Sequence, residues 1–480
     1  MKSLVLLVIT ACLPATCALA QFPAFPAADR VLGPPDFTSF EPFDASQEAM
    51  NSPAGVAVDP LSGKVFVSGS EHHRIMRFAN SSALTNGASA EAVIGQTSYT
   101  LTTQGTTETT LSHPFGIDVD HLGRLWVADY DNNRVLMYED AANLPEFGAA
   151  ADLVLGRPDF GPDDPELSQT ISQTIMTGPN GVHVDTADNL WVAEYGNNRV
   201  LKFANVSSLS NGAPATTVLG QPDFVTGSSG TSDIEMWEPV AVLVDNAGRL
   251  WVADQSNNRV LRFDNAAALG NGAAANGVLG QSDFDTATPG STPQTVGQPS
   301  ALAIDRAGTL YILDNENNRV LYHKNPASKA NGAAPDGVIG QPDLTTITAG
   351  TTAQKLARPY GGLDFDLTGN LWVADYGNNR ALRFPGDWTV ASPQVKGKVP
   401  KSPKRGKLDL KGTAADRSGV AEVRYRVGKG AFKAASGTTA WKLSAKLKPG
   451  TNVIEIVTED GAGNVSAPLL VKVKVKSKEE

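Results

Sequence analysis

The chain has 480 residues, 41% of them hydrophobic, with 50 acidic and 40 basic side chains. That length exceeds the roughly 250–300 residues at which a single core stops growing, so two domains or a large repeat fold are expected. The only cysteines, Cys12 and Cys17, fall within the first twenty residues, which excludes disulfides and thiol chemistry from the remainder.

Lys2, the apolar run from Leu4 to Ile9 and the small residues Ala18-Leu19-Ala20 read as a signal peptide over residues 1–20, with a mature chain from Gln21. Ile9-Thr10-Ala11-Cys12 loosely resembles a lipoprotein cleavage box, but the apolar stretch before it is short. No later segment has the ~18 apolar residues of a membrane span. A secreted or cell-envelope location, periplasmic or extracellular, is the expectation.

From residue 53 the chain repeats. Pro-x-Gly-Val-x-Val-Asp recurs at Pro53, Pro114, Pro179, Pro239, Pro299 and Pro359, at intervals of 61, 65, 60, 60 and 60 residues. Each module continues through an aromatic and β-branched run such as "LWVADY", an Asn-Asn turn, "RVLRF", and a closing "VLGQ". Four short strands with Gly and Asn at the turns predict one propeller blade per module. Fourth strands start at Val93, Val154, Val218, Val278 and Val338. The sixth module lacks one, and "VLGPPDF" at residues 31–37 is the spare copy. An N-terminal strand closing the last blade predicts a ring of six.

The pattern Pro-x-Gly-hydrophobic-x-Val-Asp, Gly-x-hydrophobic-Tyr/Trp-Val-x-Asp and Asn-x-Arg-hydrophobic resembles the NHL-repeat family over residues 31 to about 385. The resemblance implies a propeller over residues 21–390 and leaves function open, because the family includes enzymes, RNA-binding domains and sensor or interaction domains. Its amidating lyases bind zinc through three channel histidines. The six histidines here, at 72, 73, 113, 121, 183 and 323, put no three in one repeated column. Module one departs most, with Gly69 in place of an acid and His72-His73 in place of Asn-Asn.

Residues 391–480 alternate in short β runs without a Cys pair and predict an immunoglobulin-like sandwich. Residues 392–480 carry 19 basic and 8 acidic side chains, against 21 and 42 in the rest of the chain. The basic excess suits an anionic envelope polymer, or lysines that solvate and protect strand faces.

Features repeated in module after module are read as architecture. Asp129, Glu194, Asp254, Asp314 and Asp375 each precede an arginine by five residues (Arg134, Arg199, Arg259, Arg319 and Arg380), and bidentate pairs ordering each turn are expected. Trp126, Trp191, Trp251 and Trp372 are expected to pack between blades. Function is sought where modules differ. Three variable columns face the channel mouth: Ser52, His113, Gly178, Glu238, Gln298 and Arg358; Ala54, Phe115, Asn180, Val240, Ser300 and Tyr360; and Ser70, Tyr130, Tyr195, Gln255, Asn315 and Tyr376. A ligand-binding rim of Phe115, Tyr130, Tyr195, Tyr360 and Tyr376, with Asn180 and Gln255 as hydrogen-bonding neighbours, is predicted, and a solvated rim is the alternative. A fourth column, inside the channel, holds Ala57, Asp118, His183, Leu243, Ala303 and, with Gly362 set on the motif glycine, Asp364. Asp118, His183 and Asp364 are candidate ligands for a single divalent cation, or polar groups around buried water.

No HExxH, nucleophile elbow or phosphate loop is present. The acidic repeat region argues against nucleic acid. The first expectation is a binding or scaffold protein for a protein or glycan partner, with no resident cofactor and an undetermined oligomeric state. The second is a metal-assisted lyase or hydrolase at the channel mouth, with His113, Glu238 or Arg358 as acid-base or anion-binding groups.

Overall fold

The computed structural model describes residues 25–39, 44–161, 170–386, 393–397, 399–400, 403, 406–414, 420–460, 466 and 468–475. The predicted signal peptide, both cysteines and part of the junction lie outside the described residues. The chain divides into two compact units, one spanning Ala24–Gly386 and the other containing Asp387–Glu480.

The first unit is a propeller of six four-stranded antiparallel sheets. Blade 3 shows the plan: Pro179–Val184 innermost, then Leu190–Glu194, Arg199–Phe203 and Thr217–Leu219. The innermost strands of the others are Pro53–Val58, Pro114–Val119, Pro239–Val244, Pro299–Ile304 and, shorter, Leu363–Phe365. Blade 6 takes its outer strand from the N-terminal side: Arg30–Leu32 pairs antiparallel with Arg380–Phe384, Val31 opposite Leu382. Val31 and Leu32 are fully buried there. Closure by the N-terminal strand is as expected.

The motif glycine is needed because neighbouring inner strands approach closely. A Cβ on Gly181 would sit 2.3 Å from the Val240 carbonyl oxygen of blade 4, a distance no side chain tolerates. The tryptophans pack between blades, as expected: Trp191, fully buried, shares a core with Val242, Leu250 and Val252 of blade 4. Each indole also has a polar anchor. Trp126, Trp191 and Trp251 donate Nε1–H to Asp120, Asp185 and Asp245 at 2.9, 3.1 and 3.0 Å. The motif aspartate thus caps the first turn of its blade and holds the ring that faces the next blade.

The acid–arginine pairs form, with a different geometry from the bidentate one expected. Arginine Nε alone meets the carboxylate, at 2.6–2.8 Å in blades 2 to 6. The terminal nitrogens go elsewhere: those of Arg199 donate to the carbonyls of Phe224, Ser172 and Ile175. Each buried guanidinium therefore spends its remaining donors on the long Thr/Ser/Gly connections. The motif glutamine adds a second pin, Gln221 Nε2 donating to the Asn198 and Ser228 carbonyls.

The second unit contains two antiparallel sheets. Gln394–Val395, Lys407–Thr413 and Ala440–Lys446 form one, and Lys433–Ala434, Val420–Val427, Gly450–Asp460 and Leu469–Val475 the other. Leu410, Trp441 and Leu443 from the first share a core with Tyr425, Ile456 and Val473 from the second. Lys472 and Lys474 alternate outward along the last strand, where charge discourages edge pairing.

Candidate functional site

The residue before each marker proline adopts a left-handed backbone in every blade: φ is 51° at Ser52, 46° at His113, 57° at Gly178, 54° at Glu238, 50° at Gln298 and 45° at Arg358. Five of the six are not glycine, so this conformation carries strain that something must hold. What holds it is a hydrogen bond from the preceding blade. The amides of Ser52, Gly178, Glu238, Gln298 and Arg358 donate to Oδ1 of Asn379, Asn133, Asn198, Asn258 and Asn318, at 2.7–3.0 Å. Those asparagines are left-handed too, with φ between 51° and 54°. In blade 1 His73 takes the role, its Nδ1 accepting the His113 amide at 3.1 Å. This six-membered seam, which the residue pattern alone does not reveal, sets the mouth.

After each marker proline in blades 1 to 5 the strand register shifts. Such a bulge re-aims a side chain, and the residues at it are those of the second variable column. Blade 6 differs through an extra glycine. Gly361, at φ 69°, lies where a Cβ would come within 2.0 Å of the Ala54 carbonyl. Beyond it Asp364 opposes Trp372 just as His183 opposes Trp191, so the alignment on Gly362 holds.

Tyr360, beside that insertion, reaches across the mouth. Its ring lies 5.7 Å from Phe115 of blade 2 and 6.0 Å from Tyr376. Its hydroxyl accepts from Asn180 Nδ2 of blade 3 at 3.2 Å. The amide of Gln255, from blade 4, stands beside the same hydroxyl, yet its buried Nε2 has no partner within hydrogen-bond geometry among the described residues. Burial pushes the Tyr360 hydroxyl up to about 12, against the pull of these amides. Phe115 meets Tyr130 at 4.9 Å, and Tyr130 meets Tyr195 at 6.1 Å. All five predicted aromatics therefore join in one belt, Tyr376–Tyr360–Phe115–Tyr130–Tyr195, each contact edge-to-face. Glu238, to which the Ser256 hydroxyl donates, helps burial to raise the Tyr195 hydroxyl. His113 pairs with Asp131 and lies 3.7 Å from Glu71. Asn315 and Ser300 turn instead to the Pro359 carbonyl, at 3.1 and 3.4 Å.

Beneath lies a cavity of about 280 Å³, lined by the inner strands and including Asp118, His183 and Asp364. His183 Nδ1 is 3.3 Å from Asp118 Oδ2. The carboxylates are otherwise engaged: Asp118 Oδ2 accepts the Val184 amide of blade 3 at 2.8 Å, and Asp364 Oδ2 the Val58 amide of blade 1 at 2.7 Å. Burial, helped by the charge of Asp118, raises the Asp364 carboxyl to about 7. Burial alone would lower the His183 pKa, but the hydrogen bond and charge of Asp118 raise it. Among the described residues no three His, Cys, Asp or Glu side chains form a group that could hold a metal ion. Asp118 and Asp364 act as clasps between inner strands.

Fold and mouth together define a six-bladed NHL-type propeller. The Teneurin NHL domain family matches residues 45–322, more than half of the chain, and the chain belongs to that family. No curated protein matches it. Solved structures similar to it include virginiamycin B lyase from Staphylococcus aureus, 14% identical, covering 69% of this chain and 94% of that one with a TM-score of 0.39. Another is a gluconolactonase from Xanthomonas campestris, 13% identical over 77% of this chain and 99% of that one, TM-score 0.42. A third is a chain of a nidogen/laminin complex, 14% identical over 60% and 83%, TM-score 0.36. Among the described residues no helix is long and apolar enough to cross a membrane.

Proposed function

We propose that this chain is a secreted binding or scaffold protein that engages a protein or glycan partner through the mouth of its propeller. The observation that carries the reading is the aromatic belt. Five half-buried rings from blades 2, 3 and 6 brace one another edge-to-face, so little side-chain entropy is lost when a partner covers them. Tyrosine is well suited to such a surface, because the ring offers apolar area and the hydroxyl a polar contact.

Residues 1–391 carry 42 acidic against 21 basic side chains, which disfavours polyanions and leaves neutral or cationic partners. The C-terminal two-sheet unit, read as immunoglobulin-like, serves as spacer or anchor. The aromatic belt favours binding over the lyase or hydrolase alternative, two of whose three proposed ligands, Asp118 and Asp364, each accept a strand amide.

The test is capture on paired glycan and peptide arrays by the wild type and by a Tyr130→Ala, Tyr195→Ala, Tyr376→Ala variant. Tyr360 is kept because it bridges blades. The wild type captures a discrete set of ligands and the folded variant loses them by about tenfold or more, about 1.4 kcal/mol. Equal capture by both overturns the reading.

A further inference from the structure

Blade 1 lacks the acid that blades 2 to 6 share, yet it keeps the arginine. In blade 4 the Asp254 carboxylate takes three donors: Arg259 Nε at 2.7 Å, Asn257 Nδ2 at 2.9 Å and the Trp237 amide at 2.7 Å. The counterparts in blade 1 are Arg74, His72 and the Asn51 amide, and at the acid's position stands Gly69. Its backbone, φ −107° and ψ 93°, matches that of Glu194 at −101° and 94°, so only the side chain is missing. A Cβ built on Gly69 would find its nearest neighbour, the Asn51 carbonyl, at 3.6 Å. That is an ordinary van der Waals contact, so a side chain can start there without displacing its neighbours.

Arg74 is fully buried. Its terminal nitrogens donate to the carbonyls of Tyr99, Ser46 and Ala49, the same pinning of a long connection seen in the other blades. Its Nε, which elsewhere meets the acid, has no hydrogen-bond partner among the described residues. Burial lowers its pKa to about 10, which Tyr99 offsets only in part, so the guanidinium is still charged at neutral pH. A buried charge with neutral partners only is strongly unfavourable until a counter-charge reaches it.

We infer that blade 1 holds a buried site for a small monovalent anion, chloride or a formate-sized carboxylate, bound by Arg74 Nε where the other blades place an acidic side chain. The room left by one missing carboxymethyl group selects against larger anions. Its test reads stability and bound anion, and does not depend on the partner bound at the aromatic mouth.

Thermal unfolding is followed in sodium gluconate, chloride and formate at constant ionic strength, for the wild type, for Gly69→Asp/His72→Asn, which restores the acid and asparagine of the other blades, and for Arg74→Met. In the wild type, Tm rises saturably by about 2 °C or more on replacing gluconate with the anion that fits, and the better of chloride and formate identifies it. Both variants lose this dependence. A crystal soaked in bromide shows anomalous density beside Arg74 Nε in the wild type. An equal anion response in all three proteins, or a water alone beside Nε, overturns the inference. Arg74→Met keeps the test decisive if the double variant does not fold.

Discussion

At the channel mouth two kinds of position stand side by side. The amide of the residue before each marker proline is bound by the preceding blade in all six blades. The side chain on that same residue is serine, histidine, glycine, glutamate, glutamine or arginine in turn. From this residue the seam uses only the backbone N–H, so it is indifferent to what the residue carries outward. A strained platform held through its amides can display any side chain at a fixed place, and that is how a repeated frame supports an unrepeated site.

The comparison can be broken from the frame side. Arg199→Met strands the buried Glu194 carboxylate and leaves three loop carbonyls without their donor. Stability should fall by about 3–5 kcal/mol in urea unfolding. A milder break is Asn198→Ala, which removes the 2.9 Å bond to the Glu238 amide and leaves φ 53° to a residue without the polar side chain that lets asparagine tolerate it. About 1–3 kcal/mol should be lost. A loss below 0.5 kcal/mol, on the order of an ordinary surface change, would deny the seam its role.

Two substitutions sharpen the comparison by making an odd blade like its neighbours. His323 occupies the place of Phe203, Phe263 and Phe384; burial lowers its pKa to about 4, and its Nδ1 has no partner among the described residues. The folded state therefore binds the proton less well than the unfolded one, and this group's share of stability is lost as pH falls from about 6.5 towards 4. His323→Phe should gain about 1 kcal/mol at pH 7.5 and more at pH 5, read from paired melting curves. Asp364 runs the other way. Its carboxyl, raised to about 7 by burial, binds its proton more tightly when folded, so stability falls as pH rises from about 4 through 7. Asp364→Asn can still accept the Val58 amide, and its Tm advantage over the wild type should be small at pH 4 and grow to a few degrees at pH 8.

Much of this frame was legible in the residues. The proline spacing marked six blades, and the spare "VLG" at residues 31–33 marked the closing strand that Val31 makes with Leu382. The aromatics of the mouth were named because they differ among repeats. The seam was not legible, because its donors are backbone amides and its column shows six unrelated side chains; only the paired asparagines hinted at left-handed turns. That Asp118 and Asp364 each cap a neighbouring strand was not legible either, because composition does not show which amide a carboxylate meets. Tyr360 crossing the mouth depends on one additional residue, Gly361, whose effect is geometric.

The division between frame and mouth is tested most directly by array capture with three proteins side by side, all below their melting temperatures: wild type, Asn198→Ala, and the Tyr130→Ala, Tyr195→Ala, Tyr376→Ala variant. The account predicts that the seam variant melts earlier but captures the wild-type ligands, while the tyrosine variant stays folded and does not. Capture retained by the tyrosine variant would contradict it.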